Sequence, residues 1–526
     1  MLRSCLSADP RGRFVHDVVL ESCQRFPEKT AIVDCSCGRR ISYAEYAEII
    51  ETLARGFALA GLEPGEIIAI YLPNSWEFCA AYHAVTLAGG IPTLLNPSYR
   101  QREVHYQLES SEAVFLVSDG TNLEGINLAG LPNLRRIYTT RQPGNGCEMF
   151  ARLLKSTTVA LPRPHESSAQ TLAALPYSSG TTGLPKGVML SHYNLIANVF
   201  QILGPNAADL RAADILVCFL PLYHIYGLNV LLNPALTLGS TLVLMSRFQP
   251  ADLFRLLLEE NISMMPAVPP ALNVMCQAAE QGQFPRGHQI RWVKSGAAPL
   301  ALELARRFTS LTGIPICQGY GMTEASPVTH LGYLNHKQYC PESIGQPVAK
   351  TECRVLGESG DELPHDQSGE LVMRGPQFML GYWKEPQATA AALRDGWYHS
   401  GDLVSRDAND FYYVRDRLKE MIKYKGFSIA PAEIEGVLLE HPAVRECAVI
   451  GRPDSAGGEI PIAFVALGVG FAESAKLKEE LCSFVADRLT SYKQPREVCF
   501  LNSVPKTASG KILRRELRAQ ISSNQP

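Results

Sequence analysis

Tyr177-Ser178-Ser179-Gly180-Thr181-Thr182-Gly183-Leu184-Pro185-Lys186-Gly187 is the stretch on which the reading of this chain turns. Hydroxyl side chains crowd a Gly-Thr-Thr-Gly turn, and Lys186 follows closely behind the second glycine of that turn. An apolar run over residues 172–175 leads in, and Ser191 stands where it can cap a helix carrying Leu195, Ile196 and Val199. A strand, a glycine-rich loop and a helix N-terminus predict an anion site: backbone N–H groups and hydroxyls point at phosphate, and a lysine adds full charge. The stretch is not a Walker A loop, which reads Gly-x-x-x-x-Gly-Lys-Ser/Thr. Gly180, Gly183 and Lys186 do not have that spacing.

At 526 residues the chain exceeds one hydrophobic core, so two or more domains are expected. Hydrophobic residues at 46% and charged residues at 19% describe an ordinary globular protein. A net charge of −3 gives no electrostatic case for nucleic acid or an anionic membrane. The 14 cysteines are scattered. Cys35 and Cys37 form a Cys-x-Cys with no second half at zinc-ligand spacing, and no Cys-x-x-Cys occurs. They read as small buried hydrophobes in a reducing compartment. Residues 4–13 hold no apolar core of signal-peptide length. No apolar run reaches the length of a membrane span; residues 230–245 come nearest and are interrupted by Asn233, Pro234 and Gly239. The last residues form no peroxisomal tripeptide and no prenylation box. A soluble, cytoplasmic protein is expected.

Strand and helix patterns alternate. Residues 67–72 read as a strand, followed by a helical pattern through Phe78, Ala81 and Val85. Residues 113–117 and 241–244 read as strands, and 251–258 as a helix. The pattern predicts an α/β fold with largely buried sheets. Residues 162–168 form a short polar linker. The texture changes after the β-like residues 411–414. In Arg415-Asp416-Arg417-Leu418-Lys419-Glu420 all but one residue is charged, as in a solvated face or connector. Residues 421–429 then read as a strand, 431–439 as a helix, and a compact βαβ-like segment runs to about residue 500. The predicted organisation is a domain over 1–415, a hinge at 416–419 and a small domain over 420–526.

Four further motifs follow in order. Ser295-Gly296-Ala297-Ala298-Pro299 comes after a strand-like stretch; such small side chains suit the close approach of a flat ring, and equally a plain strand-to-helix turn. Gln318-Gly319-Tyr320-Gly321-Met322-Thr323-Glu324 offers an aromatic face to a base, a hydroxyl to a phosphate and a carboxylate to Mg²⁺, unless it is simply a solvent loop. In Trp397-Tyr398-His399-Ser400-Gly401-Asp402 the carboxylate of Asp402 suits a ribose diol, or a turn bonding its own backbone. Pro505-Lys506-Thr507-Ala508-Ser509-Gly510-Lys511 carries Lys511 on a tip near the end of the chain, where a lysine is ordinarily a solvated charge.

Taken together, these residues resemble the adenylate-forming superfamily of acyl-CoA synthetases, luciferases and adenylation domains. The resemblance runs from about Glu28 to Leu517 and comes closest to the hydroxycinnamate–CoA ligases. It implies a large N-terminal domain of helix-packed β-sheets with a distorted barrel, a small mobile α+β C-terminal domain, and an active site between them. The implied substrates and cofactors are a carboxylic acid, ATP, Mg²⁺ and coenzyme A, in a monomer or homodimer. Ser178, Ser179, Gly180, Thr181, Thr182, Gly183 and Lys186 match the triphosphate loop. Gly296, Ala297, Ala298, Gly319, Tyr320, Gly321 and Met322 match the adenine pocket, and Thr323 and Glu324 the phosphate and Mg²⁺ ligands. Asp402 and Arg417 match the ribose pair, and Lys419 the hinge. Lys511 matches the lysine that bridges carboxylate and α-phosphate, and His224 the residue beside the acyl carboxylate.

On the same resemblance Lys423, Lys425 and Gly426 lie on the face that comes round to form the thioester. Ser428 departs from a glutamine usual near that face. Ile225, Tyr226, Val230, Ala297, Gly319, Pro327 and Val328 line the acyl pocket. Lys294 joins them, either pairing with a polar substrate end or pointing away. An aromatic acid is expected ahead of a medium- or long-chain fatty acid, because Tyr226 and the small floor residues suit a flat ring. No aspartate lies near Ile225 to grip an amino acid's α-ammonium. A luciferase-type oxygenase shares these motifs. A non-catalytic binding protein on this fold would be expected to lose Lys511, Glu324 or the phosphate loop.

Overall fold

The computed structural model of the chain describes residues 10–142, 146–155, 158–161, 167–178, 184–204, 209–333, 339–424, 427–454, 458–507 and 510–523. The large N-terminal domain is built on a nine-stranded sheet. Six neighbouring strands of it run parallel, in the order Ile316–Gly321, Trp292–Ser295, Met264–Ala267, Ile215–Cys218, Thr241–Leu244 and Thr30–Asp34. Their residues are mostly buried, as expected of strands covered by helices on both faces. A second, five-stranded parallel sheet has Ile67–Tyr71 between Ile91–Leu94 and Phe115–Ser118. Helix Trp76–Leu87 packs against strands of both sheets. It is apolar nearly all round because both sides are covered. Ser75 starts it by accepting the Phe78 N–H at 3.2 Å.

The remaining strands of this domain are antiparallel. Leu172–Ala174, Tyr177–Ser178, Lys186–Ser191 and Gly381–Tyr382 form a four-stranded sheet. Glu352–Leu356, Ser368–Arg374, Leu393–Arg394, Trp397–Arg406 and Tyr412–Arg417 form a five-stranded one. The smaller C-terminal domain is α+β. Its five-stranded sheet and the helices Pro431–Leu439 and Ala475–Ala486 enclose a separate core around Ile434, Leu438, Val449, Leu481 and Val485. The βαβ expectation corresponds to Gly458–Leu467, Ala475–Ala486 and Glu497–Phe500, whose two strands pair in parallel.

Lys186 pairs with Ser178 across two antiparallel strands, and the helix His192–Leu203 begins after Ser191, as expected. The short apolar run Val188-Met189-Leu190 suits a buried strand, and Ser191 caps the helix by accepting the Asn194 N–H at 3.1 Å. Two local expectations are corrected. Residues 421–429 are not one strand but the antiparallel pair Ile422–Tyr424 and Phe427–Ile429. The charged run at 415–420 is not uniformly solvated. Asp416 is buried, and its carboxylate accepts the N–H groups of Arg417 at 2.7 Å and Ala432 at 2.9 Å. Its charge is spent on tying the last strand of the large domain to the first helix of the small one. Residues 162–166 of the expected linker lie outside the described residues.

Candidate active site

The carboxyl ends of four adjacent parallel strands carry the residues singled out from the sequence. Cys218 leads to His224, Ser295 to Gly296, and Gly321 to Thr323 and Glu324. Between them, Ala267 leads to Pro269 and Pro270. Ligands of open parallel sheets bind in this position, because connections diverge there and leave a crevice. Motifs more than a hundred residues apart in sequence thus become neighbours through strand order alone.

At one side of the crevice Glu324 is buried, and its Oε1 accepts two hydroxyl hydrogen bonds, from Ser178 at 3.0 Å and Tyr382 at 2.9 Å. The Lys186 ammonium stands 5.5 Å from the centre of the Tyr382 ring. Burial, and then the Glu324 carboxylate, push the Tyr382 phenol far up, so it stays a hydrogen-bond donor at neutral pH. Next to this group Asp402, 3% exposed, holds the Arg417 guanidinium at 3.0 Å and the Tyr320 hydroxyl at 2.5 Å. Asp402 and Arg417 are register partners on neighbouring strands, which fixes the pair geometrically. Ser178, Glu324, Tyr320, Asp402 and Arg417 are therefore brought together.

The other side is largely apolar and closely packed. Gly296 is buried so close to Tyr226 that a Cβ there would lie 3.1 Å from the ring, and the Tyr226 hydroxyl donates to the Lys294 carbonyl at 3.2 Å. Gly321 approaches Pro327 so closely that a Cβ would clash with its carbonyl at 2.0 Å. Ala297 adopts φ +67°, a left-handed conformation that costs a side-chain-bearing residue strain and clusters at functional sites. Ile225 and Val328 are buried, while Val230 lies in the π-helical turn Gly227–Leu232. Lys294 does not stand free: its ammonium is buried and donates to the Gly332 carbonyl at 3.1 Å. Burial lowers its pKa.

His224 lies where the two sides meet. Burial, followed by the nearby Lys511 cation, lowers its pKa to about 4, so the imidazole is neutral at pH 7. Its Nδ1 accepts the Tyr226 N–H at 3.1 Å, which leaves the proton on Nε2 as a donor. Lys511 reaches this point from the far end of the chain. Thr507 and Lys511 form a tight reversal, with the Thr507 N–H on the Lys511 carbonyl at 2.8 Å and the Lys511 N–H on the Thr507 hydroxyl at 3.1 Å. Burial, then the neighbouring Arg417, bring the Lys511 ammonium down to about 8, with Asp402 and Glu324 opposing.

The tip is seated by Gly510, at φ +85°, where an added Cβ would lie 3.0 Å from the Pro270 ring. Gly510→Ala is therefore expected to lower any step that needs Lys511 in the crevice by about tenfold or more, through backbone strain and lost seating together. Steps that do not need it should change little. Single-turnover assays of each step make the comparison.

Lys419 and Lys423 are exposed. Ser179, Gly180, Thr181, Thr182, Gly183, Lys425 and Gly426 lie outside the described residues. Thr323, Gly319, Met322 and Ala298 are half-buried. Sequence reasoning missed Tyr382, Pro270 and Asn74. Asn74 is buried and brackets the segment leading to His224, donating to the carbonyls of Leu220 at 2.9 Å and Met245 at 3.1 Å and accepting the Leu222 N–H at 2.8 Å. Its position just past the strand Ile67–Tyr71 was the available signal. No helix among the described residues is long and apolar enough to cross a membrane.

The oxygen chemistry of Glu324 suits Mg²⁺, which is commonly held by one or two carboxylates plus substrate phosphates. Among the described residues both side-chain hydrogen bonds to the Glu324 carboxylate fall on Oε1.

Two family models match: the AMP-binding enzyme model over residues 19–383 and the AMP-binding enzyme C-terminal domain over 433–511. The chain is 35% identical over 522 residues to 4-coumarate–CoA ligase 5 of Oryza sativa subsp. japonica, covering 97% of this chain and 95% of that protein. It is 34% identical to 4-coumarate–CoA ligase 1 of Petroselinum crispum, covering 98% and 95%. Among solved structures, ATP-bound MatB from Rhodopseudomonas palustris superposes with a TM-score of 0.86 at 26% identity, covering 97% and 99%. A benzoate–CoA ligase from Burkholderia xenovorans LB400 does so at 0.86 and 27%, covering 96% and 100%. The chain belongs to the AMP-binding enzyme family, as an AMP-forming acid–CoA ligase.

Proposed function

We propose that the acid is a planar hydroxycinnamate-like aromatic acid, and that the gathered residues divide the reaction as follows. The observation that carries the substrate reading is the Tyr226 ring lying against Gly296, an aromatic face of the kind a planar acid could stack on. The similarity to 4-coumarate–CoA ligases supports it.

In the first half-reaction a carboxylate oxygen attacks the α-phosphorus of ATP and pyrophosphate leaves. Carboxylate and phosphate repel, and negative charge spreads over the phosphoryl oxygens. Neutral His224 donates a hydrogen bond to the carboxylate without adding charge. Lys511 supplies the charge, bridging carboxylate and α-phosphate. Lys186 and the hydroxyl-rich loop, including Ser178, hold the pyrophosphate end, and Asp402 with Arg417 orients the ribose. Gly296, Ala297, Ala298, Gly319, Tyr320, Gly321 and Met322 receive the adenine, and Thr323 bonds phosphate. A magnesium ion held by Glu324 neutralises phosphate charge when bound.

In the second half-reaction the coenzyme A thiol attacks the acyl-adenylate carbonyl and AMP leaves. The joint at residues 416–419 turns the small domain, withdrawing Lys511 and bringing round the face with Lys423, Lys425 and Gly426. A cytoplasmic location and a monomeric or homodimeric state belong to the same proposal.

Pyrophosphate release with ATP across cinnamates, benzoates and C6–C16 fatty acids, with and without CoA, tests the reading. The highest kcat/KM should fall on a hydroxycinnamate, with CoA consumed. A fatty acid ranking first would overturn the substrate assignment.

The Lys511 ammonium is required charged, and it loses its proton as pH rises through about 8. The kcat/KM for adenylation, which reports free-enzyme groups, should accordingly fall across that pH. Lys511→Arg should remove this limb from whatever rate remains, because arginine keeps its charge. A profile flat to pH 10 in the unsubstituted enzyme would contradict the assignment.

A further inference from the structure

We infer that Tyr382 is a positioning residue for the Glu324 carboxylate, fixing which of its oxygens meets the nucleotide-bound divalent cation. The inference rests on the reading of Glu324 as the magnesium-side carboxylate. Tyr382 lies outside every motif that resembles the family's site, on the short strand Gly381–Tyr382.

Its hydroxyl donates to Glu324 Oε1 at 2.9 Å, and the Ser178 hydroxyl donates to the same atom at 3.0 Å. Two donors on one oxygen hold the carboxylate plane and leave Oε2 as the ligand atom. The donors differ in how firmly they are held. Ser178 ends a two-residue strand at the edge of the glycine-rich loop. Tyr382 is fixed independently of the loop: it pairs in register with Val188, and its N–H donates to the Thr389 hydroxyl at 2.8 Å.

The ring also faces the Lys186 ammonium at 5.5 Å, so a single side chain touches both the loop lysine and the metal-side carboxylate. A carboxylate released from one donor rotates more freely, so the loss should appear in cation affinity rather than in acid binding.

The test is Mn²⁺ titration by electron paramagnetic resonance in the presence of α,β-methylene-ATP, on the full chain and on Tyr382→Phe. It is joined by KM values for the acid and by thermal melting. Loss of a hydrogen bond to a charged acceptor should weaken Mn²⁺ binding by about tenfold. The acid KM should stay within about twofold and the Tm should fall by no more than a few degrees. Unchanged Mn²⁺ affinity would overturn the inference. A parallel loss of Mn²⁺, acid and thermal stability would also overturn it, as the mark of a packing role alone. If the unsubstituted chain itself bound no Mn²⁺ with the nucleotide analogue, the reading of Glu324 would fall first, a separate result visible in the control.

Discussion

Lys511→Ala is expected to lower acyl-adenylate formation by about 10³-fold while thioester formation from supplied acyl-AMP stays within a few-fold. The asymmetry follows from position. Lys511 enters the crevice on a tight reversal seated against Pro270, close enough to His224, Arg417, Asp402 and Glu324 for its ammonium to feel each of them. In the proposed division of roles it is the mobile cation where carboxylate and α-phosphate meet, and alanine would leave their repulsion unopposed. In the same proposal, carbonyl attack by a thiol develops charge elsewhere and follows withdrawal of the tip. Rapid-quench measurement of each half-reaction separates the two. Equal loss of both would refute the bridging role and point to damage in the small domain.

Lys419→Pro should have the opposite signature. Lys419 is the middle residue of the 3₁₀ turn Leu418–Glu420, between the extended Arg417 and Met421. Residues in such a turn have φ near the value at which proline is locked, so the arrangement with Lys511 in the crevice is compatible with the substitution. Adenylation should stay within about tenfold, the cost coming from crowding of Leu418 by the proline ring. The proposed rotation of the small domain would require this backbone to change, so thioester formation should fall by about 10²-fold or more. Similar rates for both half-reactions would remove Lys419 from the hinge.

The sequence was informative where a short segment carries its own physics. Ser191 reads as a cap because a hydroxyl before an apolar period satisfies an orphan N–H, and it does cap the helix His192–Leu203. Asp402 and Arg417 are legible through motif order, and strand register then pairs them. The strand between the loop and the Ser191 cap was not read from the sequence, and it is this strand that presents Lys186 beside Ser178.

Tyr382 was invisible because nothing near Gly381 marks it. Its meaning comes from Glu324, 58 residues away, through a sheet that only tertiary packing assembles. Pro270 and Asn74 were hidden in the same way, each acting through backbone contacts with distant segments. Asp416 was read as solvated because charge density is averaged over a window, whereas burial is decided residue by residue.

The most direct measurement is oxygen transfer. With acid labelled by ¹⁸O in both carboxylate positions, attack on the α-phosphorus followed by thiol attack on the carbonyl leaves one labelled oxygen in AMP and none in pyrophosphate. The site described here predicts that outcome. Label in pyrophosphate or inorganic phosphate, or acyl-CoA formed with unlabelled AMP, would contradict it.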